Sequence, residues 1–235
     1  MWAALSTIFQ EGNDILKIIG GDVGGERLRR AKGKPVTSSA RSSGSTSETP
    51  MRSPIYIPGY DVIRSMVADR NVTGGYLMRS DGALYAFGLA VPLPVSPATP
   101  GRDLMRDLTL NPQGLGGWRL DAYGGIHPFG GAPAVVGTGY WPGWQIARSI
   151  AANPSGPGGW VLDGFGGLHP FGGAPRVSGN PGYRPTDAFR DLVMLSSTGG
   201  YAIDTDGVPW PIGDAPPISV QLTSFGAGLG RALVA

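Results

Sequence analysis

Arg64, Arg106, Arg148 and Arg190 stand 42 residues apart, and Tyr76, Trp118, Trp160 and Tyr201 follow them by 11 or 12 positions. A fixed period of this size restricts a chain to stacked or radially arranged supersecondary units, because one such unit cannot bury its own apolar face. The arginines sit in the segments DVIRSMVA, DLMRDLTL, QIARSIAA and DAFRDLVM, which read as strands. Strict alternation predicts that Met66, Leu108, Ile150 and Leu192 share a face with their arginines. An arginine bracketed by apolar neighbours is not expected to stand idle in solvent.

Each strand is followed by a turn and a hairpin. The second and third units read GGWRLDAYGGIHPFGGAP and GGWVLDGFGGLHPFGGAP, and the first and fourth diverge from them. Asp-Gly or Gly-Gly between two apolar runs marks a hairpin, since glycine accepts the positive φ such turns demand. Gly and Pro make 62 of the 235 residues while 41% of the chain is apolar, which suits many short strands joined by tight turns. Short runs at 134–136 and 218–220 offer a fourth, outer strand. The expected class is all-β, with residues 54–235 forming a four-unit β-propeller-like domain of about 42 residues per blade. Four such blades would close a small ring.

The rest of the chain has a different character. Residues 1–24 carry Leu5, Ile8 and Phe9, then Ile15, Leu16 and Ile19, at helical spacing, and predict a short amphipathic anchor helix that ends at Gly20-Gly21. Residues 25–53 are basic and then Ser/Thr-rich, with too little apolar content to offset the entropy of ordering, and read as an extended arm or linker. Lys and Glu are absent after Glu48, so Arg and Asp supply all later charge, and a broad nucleic-acid footprint is not visible. No apolar run approaches the ~18 residues of a membrane span, so no membrane insertion is expected. The N-terminus lacks a cationic start and is interrupted by Glu11, Asn13 and Asp14, unlike a signal peptide.

The pattern Gly-Trp/Tyr, a short strand, Asp, a Gly-rich turn and an aromatic-Gly ending, as in GGWVLDGFGGLHPFG, resembles tandem repeats of actinobacterial cell-surface and phage-associated proteins. The resemblance covers residues 54 to about 218 and implies a β-propeller-like array without enzymatic activity. A helix and arm ahead of such a domain also resemble a virion structural protein, such as a phage minor tail or appendage protein. That resemblance implies a multi-copy assembly in which residues 1–53 contact other virion structural proteins and the β domain projects, with host cell-surface glycan as a partner class. The alternative is a wall-glycan-binding or protein-binding module at a cell surface.

Among individual residues, the Arg series suits either a guanidinium ring that binds phosphate or acidic glycan, or structural pairing with Asp121, Asp163 and Asp204 or with backbone carbonyls that locks unit to unit. The structural version is preferred, because strict repetition and apolar neighbours favour it. Tyr76, Trp118, Trp160 and Tyr201 are read as wedges between units rather than sugar platforms. Tyr140, Trp141 and Trp144 break the period and are the better recognition candidates. His127 and His169 lie on different units and would not converge on one metal ion. There is no GxSxG and no asymmetric Ser, His and Asp set, so no catalytic residue, metal or cofactor is expected.

Overall fold

The computed structural model describes residues 60–218, apart from residues 94, 96–100, 136–138 and 180. The expected N-terminal helix (1–24) and arm (25–53) lie outside the described residues. All described residues belong to one of the two units into which the chain divides, Pro50–Ala235.

This unit holds twelve strands in four antiparallel three-stranded sheets, each a simple meander from one repeat. The first sheet contains β1 (Ile63–Ala68), β2 (Gly74–Arg79) and β3 (Leu84–Gly88). The second contains β4 (Met105–Leu110), β5 (Gly117–Asp121) and β6 (Ile126–Phe129). The third contains β7 (Ala147–Ala152), β8 (Gly159–Asp163) and β9 (Leu168–Phe171). The fourth contains β10 (Phe189–Met194), β11 (Gly199–Asp204) and β12 (Pro209–Gly213). The described parts of the runs offered as outer strands, Ala134, Val135 and Ile218, lie outside every strand.

The sheets pack side by side in chain order, with the first strands β1, β4, β7 and β10 as successive neighbours. Among the described residues β10 does not touch β1, so these four sheets form an open series and not a closed ring. The interior lies in three seams. Tyr76 and Met78 meet Met105, Leu108 and Phe129. Trp118 and Leu120 meet Ala147, Ile150, Val161 and Phe171. Trp160 and Leu162 meet Phe189, Leu192, Ala202 and Ile212. Alternate residues of a central strand therefore face the preceding and the following sheet, which explains why β5 and β8 are buried along their whole length.

Repetition also fixes how each aromatic is used. Trp118 and Trp160 donate their indole N–H to the carbonyls of Pro133 and Pro175, at 2.9 and 2.8 Å. Tyr76 and Tyr201 donate their hydroxyls to the carbonyls of Val91 and Pro216, both at 2.7 Å. In all four units the acceptor lies 15 residues further on, so the ring fills the unit while its polar tip fixes the departing segment.

Candidate interaction rim

Each arginine of the series is the extra residue of a β-bulge. The pairing slips by one residue between Ile63 and Ser65, Met105 and Asp107, Ala147 and Ser149, and Phe189 and Asp191. A bulge leaves a residue unpaired and turns its side chain out of strict alternation, which overturns the simple face assignment predicted for the arginines. Each guanidinium folds back and donates Nη1 to the preceding carbonyl: Ile63, Met105, Ala147 and Phe189 accept at 3.0, 2.9, 2.8 and 2.7 Å.

The remaining donors cross the seams. Arg64 forms a two-pronged pair with Asp103 through Nε and Nη2 at 3.1 and 2.9 Å, and Arg148 does the same with Asp187. Arg106 donates Nη2 to Gln145 Oε1 at 3.0 Å, where glutamine replaces the aspartate of the other seams. Arg106 and Arg190 also reach back to Asp103 and Asp187, three residues earlier. The result is a ladder along one rim of the series. The hydrogen bond from Arg64 is the largest influence on the Asp103 carboxyl and, with Arg106, holds it below its ordinary value. Burial pushes the Asp187 carboxyl up, but Arg148 and Arg190 outweigh it and leave it below its ordinary value. Guanidinium groups engaged this fully retain few donors for a ligand.

The partners are therefore not Asp121, Asp163 and Asp204. Those carboxylates cap the hairpin turns instead: Asp121 Oδ1 accepts from the Tyr123 and Gly125 amides at 2.9 Å, and Asp163 and Asp204 repeat the arrangement. Their second oxygens meet His127 and His169 Nε2, each at 2.8 Å. In the fourth unit Trp210 Nε1 donates to Asp204 Oδ2 at 2.8 Å. Because an indole N–H can only donate, this equivalence assigns the proton to Nε2 of both histidines, which serve as turn braces.

A second repeating set, missed in the sequence, follows the arginines directly: Ser65, Asp107, Ser149 and Asp191. Asp107 accepts hydroxyl hydrogen bonds from Ser65 and Ser149 at 2.7 and 2.6 Å and amide bonds from Leu108 and Ile150, both at 2.8 Å. Ser149 Oγ also lies 2.6 Å from Asp191 Oδ1. One hydroxyl hydrogen cannot serve both carboxylates fully, so Ser149 is shared between Asp107 and Asp191. Burial pushes the Asp107 carboxyl above its ordinary value. The alternation Arg-Ser, Arg-Asp, Arg-Ser, Arg-Asp was the available signal.

The period-breaking aromatics separate into two roles. Trp141 packs into the seam between the second and third sheets and meets the His169 ring edge-on at 4.8 Å. A Cβ on Gly124, whose φ is +88°, or on Gly139 would stand 2.6 Å from the Trp141 ring, so both glycines make room for it. Arg184 takes the corresponding place one unit on: its amide bonds the Phe165 carbonyl as that of Trp141 bonds Tyr123, and its guanidinium lies 4.4 Å from the Trp210 ring centre. Trp144 instead projects and is 55% exposed. Its ring lies 5.5 Å from Phe165, which stacks on the exposed Tyr183 at 6.0 Å with an interplanar angle of 14°. Tyr140 is exposed as well, outside this stack.

Phe165 occupies the turn beside Gly164, at which an added Cβ would collide with the Asp187 carboxylate, so the aromatic stack and the ionic ladder share one rim. Three rings drawn from three segments present flat apolar faces next to a polar ladder. Such a surface suits a partner with alternating apolar and hydroxyl faces, as a pyranose or a tyrosine-rich loop has. No protein-family model matches this chain, and no curated protein matches it.

Proposed function

We propose that this chain is a non-enzymatic structural protein of a phage particle, a minor tail or appendage protein whose β domain is a propeller-like adhesion module. The stack of Trp144, Phe165 and Tyr183 carries the adhesion part of this reading, since it is an aromatic surface that does not recur in all four units. The side-by-side meanders with neighbouring first strands support the propeller-like description. The particle context rests on the resemblance of the repeats and of the N-terminal helix and arm, through which residues 1–53 would engage other virion proteins. Host surface glycan is the partner class the aromatic stack fits.

Two measurements test it. Mass spectrometry of purified particles is expected to find the chain as a component; its absence there would favour the second reading, a wall-binding module at a cell surface. Full-length protein is expected to bind isolated host wall material and to lose most of that binding on Trp144→Ala. Equal binding by the variant would remove the stack from the adhesion role.

A further inference from the structure

The three seams provide a template for judging the two outer sheets. Met66 corresponds to Leu108, Ile150 and Leu192, which are 4, 3 and 6% exposed, yet Met66 itself is 49% exposed. Ile63 corresponds to Met105, Ala147 and Phe189 at 5, 0 and 0%, and is 37% exposed. On the central strand β2, only the residues facing away from the second sheet, Leu77 and Arg79, are incompletely buried. On β11 the parity is reversed: Tyr201 and Ile203, which face away from the third sheet, are incompletely buried where Trp118, Leu120, Trp160 and Leu162 are closed off.

The charges repeat this picture. In every seam an arginine reaches an acceptor 39 residues later: Arg64 to Asp103, Arg106 to Gln145, Arg148 to Asp187. Arg190 has no such forward acceptor among the described residues. Asp61, which occupies the acceptor position of the first sheet, has a side chain 86% exposed and meets Arg64 of its own unit at 3.5 Å. One end of the series thus offers the donor half of a seam and the other end offers the acceptor half.

We propose that the forward face of the fourth sheet docks on the backward face of the first sheet of a second copy of this chain, forming a fourth seam between molecules. Arg190 of one copy then pairs with Asp61 of the next, and Tyr201 and Ile203 cover Ile63, Met66 and Leu77. The contact is heterologous, so it propagates until rotation closes it into a ring or continues as a filament. It is independent of the aromatic stack and of any glycan.

The chain contains no cysteine, which gives a clean test. Full-length Asp61→Cys is mixed with full-length Arg190→Cys and treated with a short bismaleimide, since an Arg–Asp pair spans more than a disulfide can, and a crosslinked pair of the two variants is expected in excess over anything either forms alone. Adding Met66→Asp to the first variant is expected to abolish that product, with circular dichroism confirming that the protein stays folded. Sedimentation of the unmodified protein is expected to show mass increasing with concentration. A monomer at all concentrations with no mixed product would overturn the proposal and mean that another segment or protein covers these faces. Crosslinking confined within the Asp61→Cys/Arg190→Cys double variant would also overturn it, because the series would then close on itself.

Discussion

The seam between the second and third sheets and the rim beside it are built from the same two repeats, yet they obey different rules. In the seam the main contributors recur in the other units: a tryptophan or tyrosine with its tip on a carbonyl 15 residues away, a small or branched apolar residue opposite, and a serine or aspartate on the first strand, with Trp141 as the exception. On the rim the arginines recur, but Trp144 and its neighbours Phe165 and Tyr183 do not form a set of four. Repetition here reports on how units adhere to each other, and departures from it report on what the protein presents outward.

The contrast can be broken first at the seam. Trp160→Ala removes a ring with no exposed surface and leaves the Pro175 carbonyl without its donor. A loss of about 3–5 kcal/mol is expected from urea unfolding, in the range of large aromatic truncations. Replacement by Tyr, the residue of the first and fourth units, should restore part of it. If alanine costs no more at Trp160 than at the exposed Trp144, the seam and rim are not different in kind.

A pH series tests the buried Asp107 carboxyl. Because the Asp107 carboxyl is raised by burial, its contribution is complete below the ordinary value near about 3.9 and is lost as pH rises through the raised value. Asp103 and Asp187 act in the opposite sense: their pairing with arginine contributes above the ordinary carboxylate range and is lost as pH falls through their lowered values. Stability is therefore expected to rise on acidification from neutrality and then fall at lower pH. In Asp107→Ala the rising limb should disappear, on top of an overall loss of roughly 3 kcal/mol from the stranded Ser65 hydroxyl and the Leu108 and Ile150 amides.

Arg119 sharpens the comparison from inside. It is 2% exposed and donates Nη1 to the Gly82 carbonyl at 2.8 Å, while its Nε has no partner among the described residues. Burial pulls its pKa down. The same position in the third sheet is Val161, fully buried in the next seam. Arg119→Leu is expected to raise the unfolding free energy by about 1 kcal/mol, since an uncompensated buried charge costs more than its single hydrogen bond returns. A destabilised variant would mean that the guanidinium is held by more than this one carbonyl. Smallest of all, Trp144→Ala is expected to leave stability within about 0.5 kcal/mol of the parent while removing wall binding.

The strands and hairpins were legible because Gly-Trp or Gly-Tyr, Asp and a Gly-rich turn recur with period-2 apolar runs between them. The bulge was not, because one extra residue at Arg148 leaves the composition of QIARSIAA unchanged while shifting which side chains share a face. Reading Asp163 as the arginine's partner failed for the same reason: a carboxylate just before a Gly-rich turn serves the turn's own amides first. Asp187, three residues before the next arginine, was the one in reach. Trp141 and Trp144 look alike in sequence, and only the space opened by Gly124 and Gly139 tells the packed ring from the projecting one.

The Ser65, Asp107, Ser149, Asp191 alternation has an arithmetic consequence. Although the chain repeats every 42 residues, its inner seam repeats every two units, because neighbouring carboxylates need a hydroxyl between them. Excising the third unit alone would set Asp107 directly against Asp191, whereas excising the second and third together would return Ser65 to an aspartate. Removing adjacent units in pairs preserves the alternation, a parity that the backbone repeat does not have.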